Sequence, residues 1–88
     1  MLAQSDKPEN GDSLNRLAYQ YAEAGLATTG ISILQRASEL FPQDGNLRDS
    51  MGELYLALGD KAKAIAAYRR ALELDPGNTN AAAILKKL

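Results

Sequence analysis

The chain has 88 residues, with ten basic and eleven acidic side chains for a net charge of −1, and neither histidine nor cysteine. It has no basic stripe to neutralise a row of phosphates, which argues against a nucleic-acid partner, and its longest apolar runs are far too short to cross a membrane. Without thiol or imidazole it lacks the commonest general base, a thiolate nucleophile, disulfides and most transition-metal ligands, so no cofactor is expected.

At 45% apolar and 24% charged residues, the composition is that of one small globular domain. Four tyrosines and one phenylalanine are its only aromatics. Alanine carries much of the apolar total, which suits helices packed closely through small side chains. So short a domain is expected to be stable by only a few kcal/mol.

Residues 1–10 (MLAQSDKPEN) are polar, contain Pro8 and show no periodicity, so they read as a flexible lead-in or linker. They have no apolar stretch of the secretory kind, which favours the cytoplasm but leaves the compartment open. From Asp12 onward the apolar residues fall at helical spacing. A first helix is expected over Ser13–Ala24, capped by Asp12 or Ser13, with Leu14, Leu17, Ala18 and Tyr21 inward and Gly25 ending it. A second runs over Thr28–Leu40, with Ile31, Leu34, Ala37 and Leu40 inward, until Phe41-Pro42 stops it.

The third helix, Asn46–Leu58, turns Leu47, Met51, Gly52, Leu54, Tyr55 and Leu58 to the core. Gly59-Asp60 makes the next turn, and Asp60 caps a fourth helix, Lys61–Leu74, with Ala64, Ile65, Tyr68, Ala71 and Leu72 inward. Asp75-Pro76-Gly77-Asn78 ends it as a turn; the run lacks the alternating oxygens and terminal Glu of a calcium loop. A fifth helix, Asn80–Leu88, finishes on Lys86 and Lys87, whose charges suit the negative end of a helix dipole.

The chain nearly repeats itself after 34 residues. Laying 11–44 on 45–78 without a gap pairs Gly11 with Gly45, Tyr21 with Tyr55, Gly25 with Gly59, Ile31 with Ile65 and Arg36 with Arg70. The same register pairs Ala37 with Ala71, Glu39 with Glu73, Leu40 with Leu74 and Pro42 with Pro76. A period of that length marks a helix–turn–helix unit that cannot bury its apolar face alone and must stack on its neighbours.

These residues resemble the tetratricopeptide-repeat family. The second unit fills nearly every signature place, with Met51, Gly52, Tyr55, Ala64, Tyr68, Ala71 and Pro76, although Arg48 stands where the family favours an aromatic. The first unit matches with Leu17, Ala18, Tyr21, Ala37 and Pro42 and departs at Leu14, Leu34 and Gly30. Gly30 is the awkward departure, because glycine inside a helix costs about 1 kcal/mol relative to alanine. The resemblance implies an all-α, right-handed superhelical stack of two repeats, 11–44 and 45–78, closed by a capping helix, 79–88. A narrower likeness, in Leu14–Tyr19 and in Leu74–Leu88, is to the short repeat tails of bacterial serine hydrolases and penicillin-binding-protein-like esterases.

In this family the first helix of each unit lines a concave groove. By resemblance the groove here holds Asn15, Arg16, Tyr19 and Glu23, then Asp49, Ser50, Glu53 and Leu56, then Asn80 and Ile84. Arg16 and Tyr19 are of the types enriched at binding hot spots. Against that stands the reading that Tyr19 only covers the groove wall and Arg16 pairs with Asp49 or Glu53. Family members that clamp a terminal carboxylate use cations and amides where this chain has Asn15, Tyr19, Ser50, Asn80 and Ile84. No cation remains there for that role.

The expected function is a non-catalytic scaffold that presents the groove to a peptide or partner protein. One alternative is an accessory domain packed on the catalytic domain of a larger bacterial hydrolase. Another is a self-association module joined through its open ends, although a monomer is favoured. The carboxylates Glu23, Glu39, Asp44, Asp49, Glu53 and Glu73 are spread along amphipathic helices and read chiefly as a solvated face.

Overall fold

The computed structural model describes residues 11–88, which form five helices and, among those residues, no strand. They are α1 (Asp12–Glu23), α2 (Ala27–Leu40), α3 (Gly45–Ala57), α4 (Lys61–Leu74) and α5 (Thr79–Lys87). The expected lead-in, 1–10, lies outside the described residues. Each helix packs chiefly on its neighbours in the chain, which is the contact pattern of a linear stack.

Two turns are built alike, 34 residues apart. Gly25 and Gly59 take φ of 87° and 80°, a left-handed conformation that costs glycine nothing. Beyond them the Leu26 amide bonds the Tyr21 carbonyl and the Asp60 amide bonds the Tyr55 carbonyl, each at 2.9 Å. These bonds satisfy carbonyls that the ends of α1 and α3 would otherwise leave open.

The helix starts differ. Asp44, Asp60 and Asn78 cap α3, α4 and α5 by accepting from the amides of Asn46, Lys63 and Ala81 at 3.1, 3.1 and 2.9 Å. Neither α1 nor α2 has a side-chain cap. Gly11 occupies the N-cap of α1, one place before the expected Asp12 or Ser13, because the helix already begins at Asp12.

The core has two centres. Ala18, Ile31, Leu34, Ala37, Leu47 and Leu54 form one, and Ala64, Tyr68, Ala71 and Ala81 form the other, with Tyr55 packed against both. Tyr68 is 1% exposed, and Gly52 makes room for it: a Cβ there would stand 2.6 Å from the ring. Gly30 has a similar reason, since a Cβ would approach the Ala18 carbonyl oxygen to 2.7 Å. The residue that looked costly in α2 is what lets α2 lie against α1.

Four side chains expected inward are exposed instead: Leu17 at 39%, Tyr21 at 39%, Leu40 at 54% and Leu58 at 48%. Leu17 and Tyr21 lie on a face of α1 with no helix before it among the described residues, whereas Met51 and Tyr55, 34 residues on, pack against the first core. Leu40 ends α2 and Leu58 caps α3, where less neighbouring helix remains to cover them. Arg48, in place of an aromatic, donates from Nε to Ser38 Oγ at 3.0 Å and so ties α3 to α2.

Candidate functional site

α1, α3 and the start of α5 present polar side chains to a shared open pocket of about 490 Å³. Asn15 and Tyr19 come from α1, Asn46, Asp49 and Ser50 from α3, and Asn80 from α5. The turn from Asp75 to Thr79 forms the remaining wall.

Cross-helix hydrogen bonds hold this arrangement. Tyr19 Oη donates to Glu53 Oε1 at 2.6 Å and ties α1 to α3. Asn78 Nδ2 donates to Asp49 Oδ2 at 2.8 Å, and Asn80 Nδ2 donates to Asp49 Oδ1 at 3.1 Å. Asn78 serves two purposes at once: its Oδ1 caps α5 while its Nδ2 holds Asp49. Bonds to a charged acceptor are stronger than neutral ones, so these links set the spacing of the groove-lining helices.

The electrostatics are negative. Burial pushes the Tyr19 phenol up to about 12, aided by its bond to Glu53 and the charges of Glu53 and Asp49, while a hydrogen bond with Ser50 acts the other way. Tyr68 is also pushed up to about 12, by burial first and then by Asp49 and Glu53. The field of these two carboxylates therefore reaches from the groove into the second core. Neither forms an ion pair: among the described residues the pairs are Arg36–Glu39, Lys63–Asp60 and Arg70–Glu73, all elsewhere. Among the described residues, Asn15 Oδ1 is buried with no hydrogen-bond partner.

Asn15, Tyr19, Asp49, Ser50 and Asn80 come together around the pocket, with Glu53 joined to it through Tyr19. Arg16 stands exposed without an ion pair among the described residues, which corrects the pairing with Asp49 or Glu53; those groups are engaged by Asn78, Asn80 and Tyr19. Glu23 is exposed in the last residue of α1, away from the pocket lining. Leu56 and Ile84 are half-buried against the core of Ala64, Tyr68, Ala71 and Ala81, so their side chains are engaged in packing.

The Asp75–Asn78 turn, recognisable in the sequence only as a turn, also walls the pocket through Asp75, Gly77 and Asn78. The available signal was Asn78 itself: a capping asparagine uses its carbonyl oxygen on the helix and has an amide left to donate. Among the described residues no group of three or more His, Cys, Asp or Glu is placed to hold a metal ion. Nor is any helix there long and apolar enough to cross a membrane. What the groove offers is hydrogen-bond acceptors and negative potential.

The tetratricopeptide repeat family matches over residues 50–78. The chain is similar to cellulose synthase operon protein C of Escherichia coli K12, at 36% identity over 58 residues, 66% of this chain. It is also similar to superkiller complex protein 3 of human, at 34% over 61 residues, 69% of this chain, and of mouse, at 33% over 64 residues, 73% of this chain. It spans 5% of the length of the first and 4% of each of the others.

Proposed function

The chain belongs to the tetratricopeptide-repeat family, whose repeats mediate protein–protein interactions, and from that premise we propose that its groove binds an extended, cation-bearing segment of a partner protein. Residues 11–88 act in this reading as one two-repeat module capped by α5. The observation that carries it is Asn15 Oδ1, a buried acceptor without a partner among the described residues, in a pocket lined by the carboxylates of Asp49 and Asp75 and joined to Glu53 through Tyr19, none of them in an ion pair there. A peptide brings what is missing: main-chain N–H groups for the orphaned oxygen and a lysine or arginine for the carboxylates. Arg16, exposed at the same helix, is an anchor for the segment's carbonyl or acidic groups.

So short a groove engages few anchor side chains, and binding on the micromolar scale is expected unless tethering raises the local concentration. Selection from a random peptide display library tests the reading. Enriched peptides should carry lysine or arginine, lose affinity as salt rises, and bind Asn15→Ala less well. Enrichment of acidic peptides, or affinity indifferent to salt and to Asn15→Ala, would refute it.

A further inference from the structure

The face of α3 turned away from the groove carries a second pocket, of about 230 Å³. At about 100° per residue, Arg48, Met51 and Tyr55 stand on the side of α3 opposite Asn46, Asp49 and Ser50. Lys63 and Arg70 of α4, with two alanines between them, complete the lining. Three of the chain's ten cations therefore surround a floor of Met51, Tyr55 and alanine. Among the described residues, no carboxylate lines this pocket.

The cations are positioned by their neighbours. Arg48 is half-buried, and its Nε donates at 3.0 Å to the hydroxyl of Ser38, a buried residue of α2. That bond orients the guanidinium and leaves both terminal nitrogens to donate elsewhere; among the described residues Arg48 forms no ion pair. Lys63 Nζ lies over the Tyr55 ring, 5.9 Å from its centre. Lys63 and Arg70 have acidic neighbours, Asp60 at 3.9 Å and Glu73 at 2.8 Å, but these pairs are exposed and weak.

The internal repeat shows that the fold does not require this charge. Thirty-four residues earlier Leu14 stands for Arg48 and Thr29 for Lys63, whereas Arg36 and Glu39 repeat the pair of Arg70 and Glu73. The first unit is built without the two cations. Arg48 is thus a charge held partly out of water where an apolar side chain serves in the other unit.

We propose that this pocket binds a phosphate monoester. A carboxylate would gain little, since Asp60 and Glu73 already supply carboxylates to Lys63 and Arg70, and only Arg48 would be new to it. A monoester carries about two negative charges and has further acceptor oxygens, enough to pair with the guanidinium bidentately and compete for the other two cations. The floor selects an ester over inorganic phosphate, because Met51, Tyr55 and the alanines offer apolar surface to the carbon that bears the group. The ester is a phosphorylated side chain of a partner or a free organic phosphate. The proposal does not depend on what the groove binds, since the two pockets lie on opposite sides of α3.

The test titrates phenyl phosphate, a capped phosphotyrosine peptide flanked by glycines, inorganic phosphate and benzoate into isotope-labelled protein at fixed ionic strength. Both esters should give saturable amide shifts at Arg48, Lys63 and Arg70, with inorganic phosphate and benzoate roughly tenfold weaker. Arg48→Leu and Lys63→Thr place the first unit's residues in the second. Each should weaken phenyl phosphate roughly tenfold, with helix content by circular dichroism unchanged. Tighter binding of the peptide than of phenyl phosphate assigns the ester to a protein side chain, and equal binding assigns it to a free molecule. Shifts that do not saturate and are shared with Arg16, Arg36 and Lys87 would overturn the proposal. So would benzoate or inorganic phosphate bound as tightly as the esters, or ester binding that both variants leave unchanged.

Discussion

Tyr19 on α1 and Glu53 on α3 occupy the same place in successive repeats, 34 residues apart, and a 2.6 Å hydrogen bond joins them. The bond links the first helix of one unit to the first helix of the next, so a residue of the candidate site also spaces the groove. Tyr19→Phe should lower stability by about 1 kcal/mol, the usual worth of one such bond, when measured by urea unfolding. A double-mutant cycle with Glu53→Gln should give a coupling well above zero, and additive losses would mean that the bond contributes nothing.

The fit of Tyr68 over Gly52 is tight enough to predict in both directions. Tyr68→Ala should destabilise the fold by roughly 3–5 kcal/mol, since it empties the largest fully buried position. Gly52→Ala, whose Cβ would meet the ring at 2.6 Å, should cost about 1–3 kcal/mol. The second loss should shrink in a Tyr68→Leu background, because the ring that opposes the added methyl is gone. Thermal unfolding of the four variants gives the comparison.

Alkaline pH should weaken the fold. Burial and nearby carboxylates raise Tyr19 and Tyr68 from 10.0 to about 12, so the folded state favours the neutral phenols. Their contribution to stability is whole below pH 10 and is lost as pH climbs towards 12, because the unfolded chain gives up those protons first. The urea midpoint should therefore fall across that window, and fall less steeply in Tyr68→Phe.

Arg16 has no ion pair among the described residues and is exposed, so its removal should leave the fold nearly untouched. Arg16→Ala is expected to change stability by less than about 0.5 kcal/mol while weakening segment binding by about 1 kcal/mol. Calorimetric melting and titration separate the two effects. Unfolding of the variant would show that the guanidinium belongs to the structure and not to the groove.

Much of this architecture is legible because the repeat is local. Gly25 and Gly59 announce their turns, and Asp60 announces its cap, from residues within one helical turn of each. The start and end of every helix fall within a residue of the places that caps, glycines and prolines indicate. The misjudged positions depend on what lies beyond a single unit. Leu17 and Tyr21 carry the same inward pattern as Met51 and Tyr55, but no helix precedes α1 among the described residues to cover them. Periodicity treats each repeat as interior, so it does not register which helix is the first of those described.

Gly30 and Asn78 were obscured for a different reason. Helix propensity scores Gly30 against alanine, whereas its value lies in the approach of the Ala18 carbonyl from another helix. Asn78 reads as a turn residue, and its second bond, to Asp49, spans 29 residues of sequence. Side-chain partners at that separation leave no periodic trace. Ile84 shows the converse, a residue placed in the groove by its position in the repeat that is used by the second core as α5 closes over Tyr68.

The most direct test of the groove is to map a library-selected peptide onto the labelled protein by amide chemical shifts. The account predicts shifts centred on Asn15, Tyr19, Asp49 and Asn80, with side-chain amide signals of Asn15 moving as its orphaned oxygen gains a donor. Shifts that spare these residues and fall on the outer faces of α2 and α4 would contradict it, because the binding surface would then lie on the opposite side of the stack.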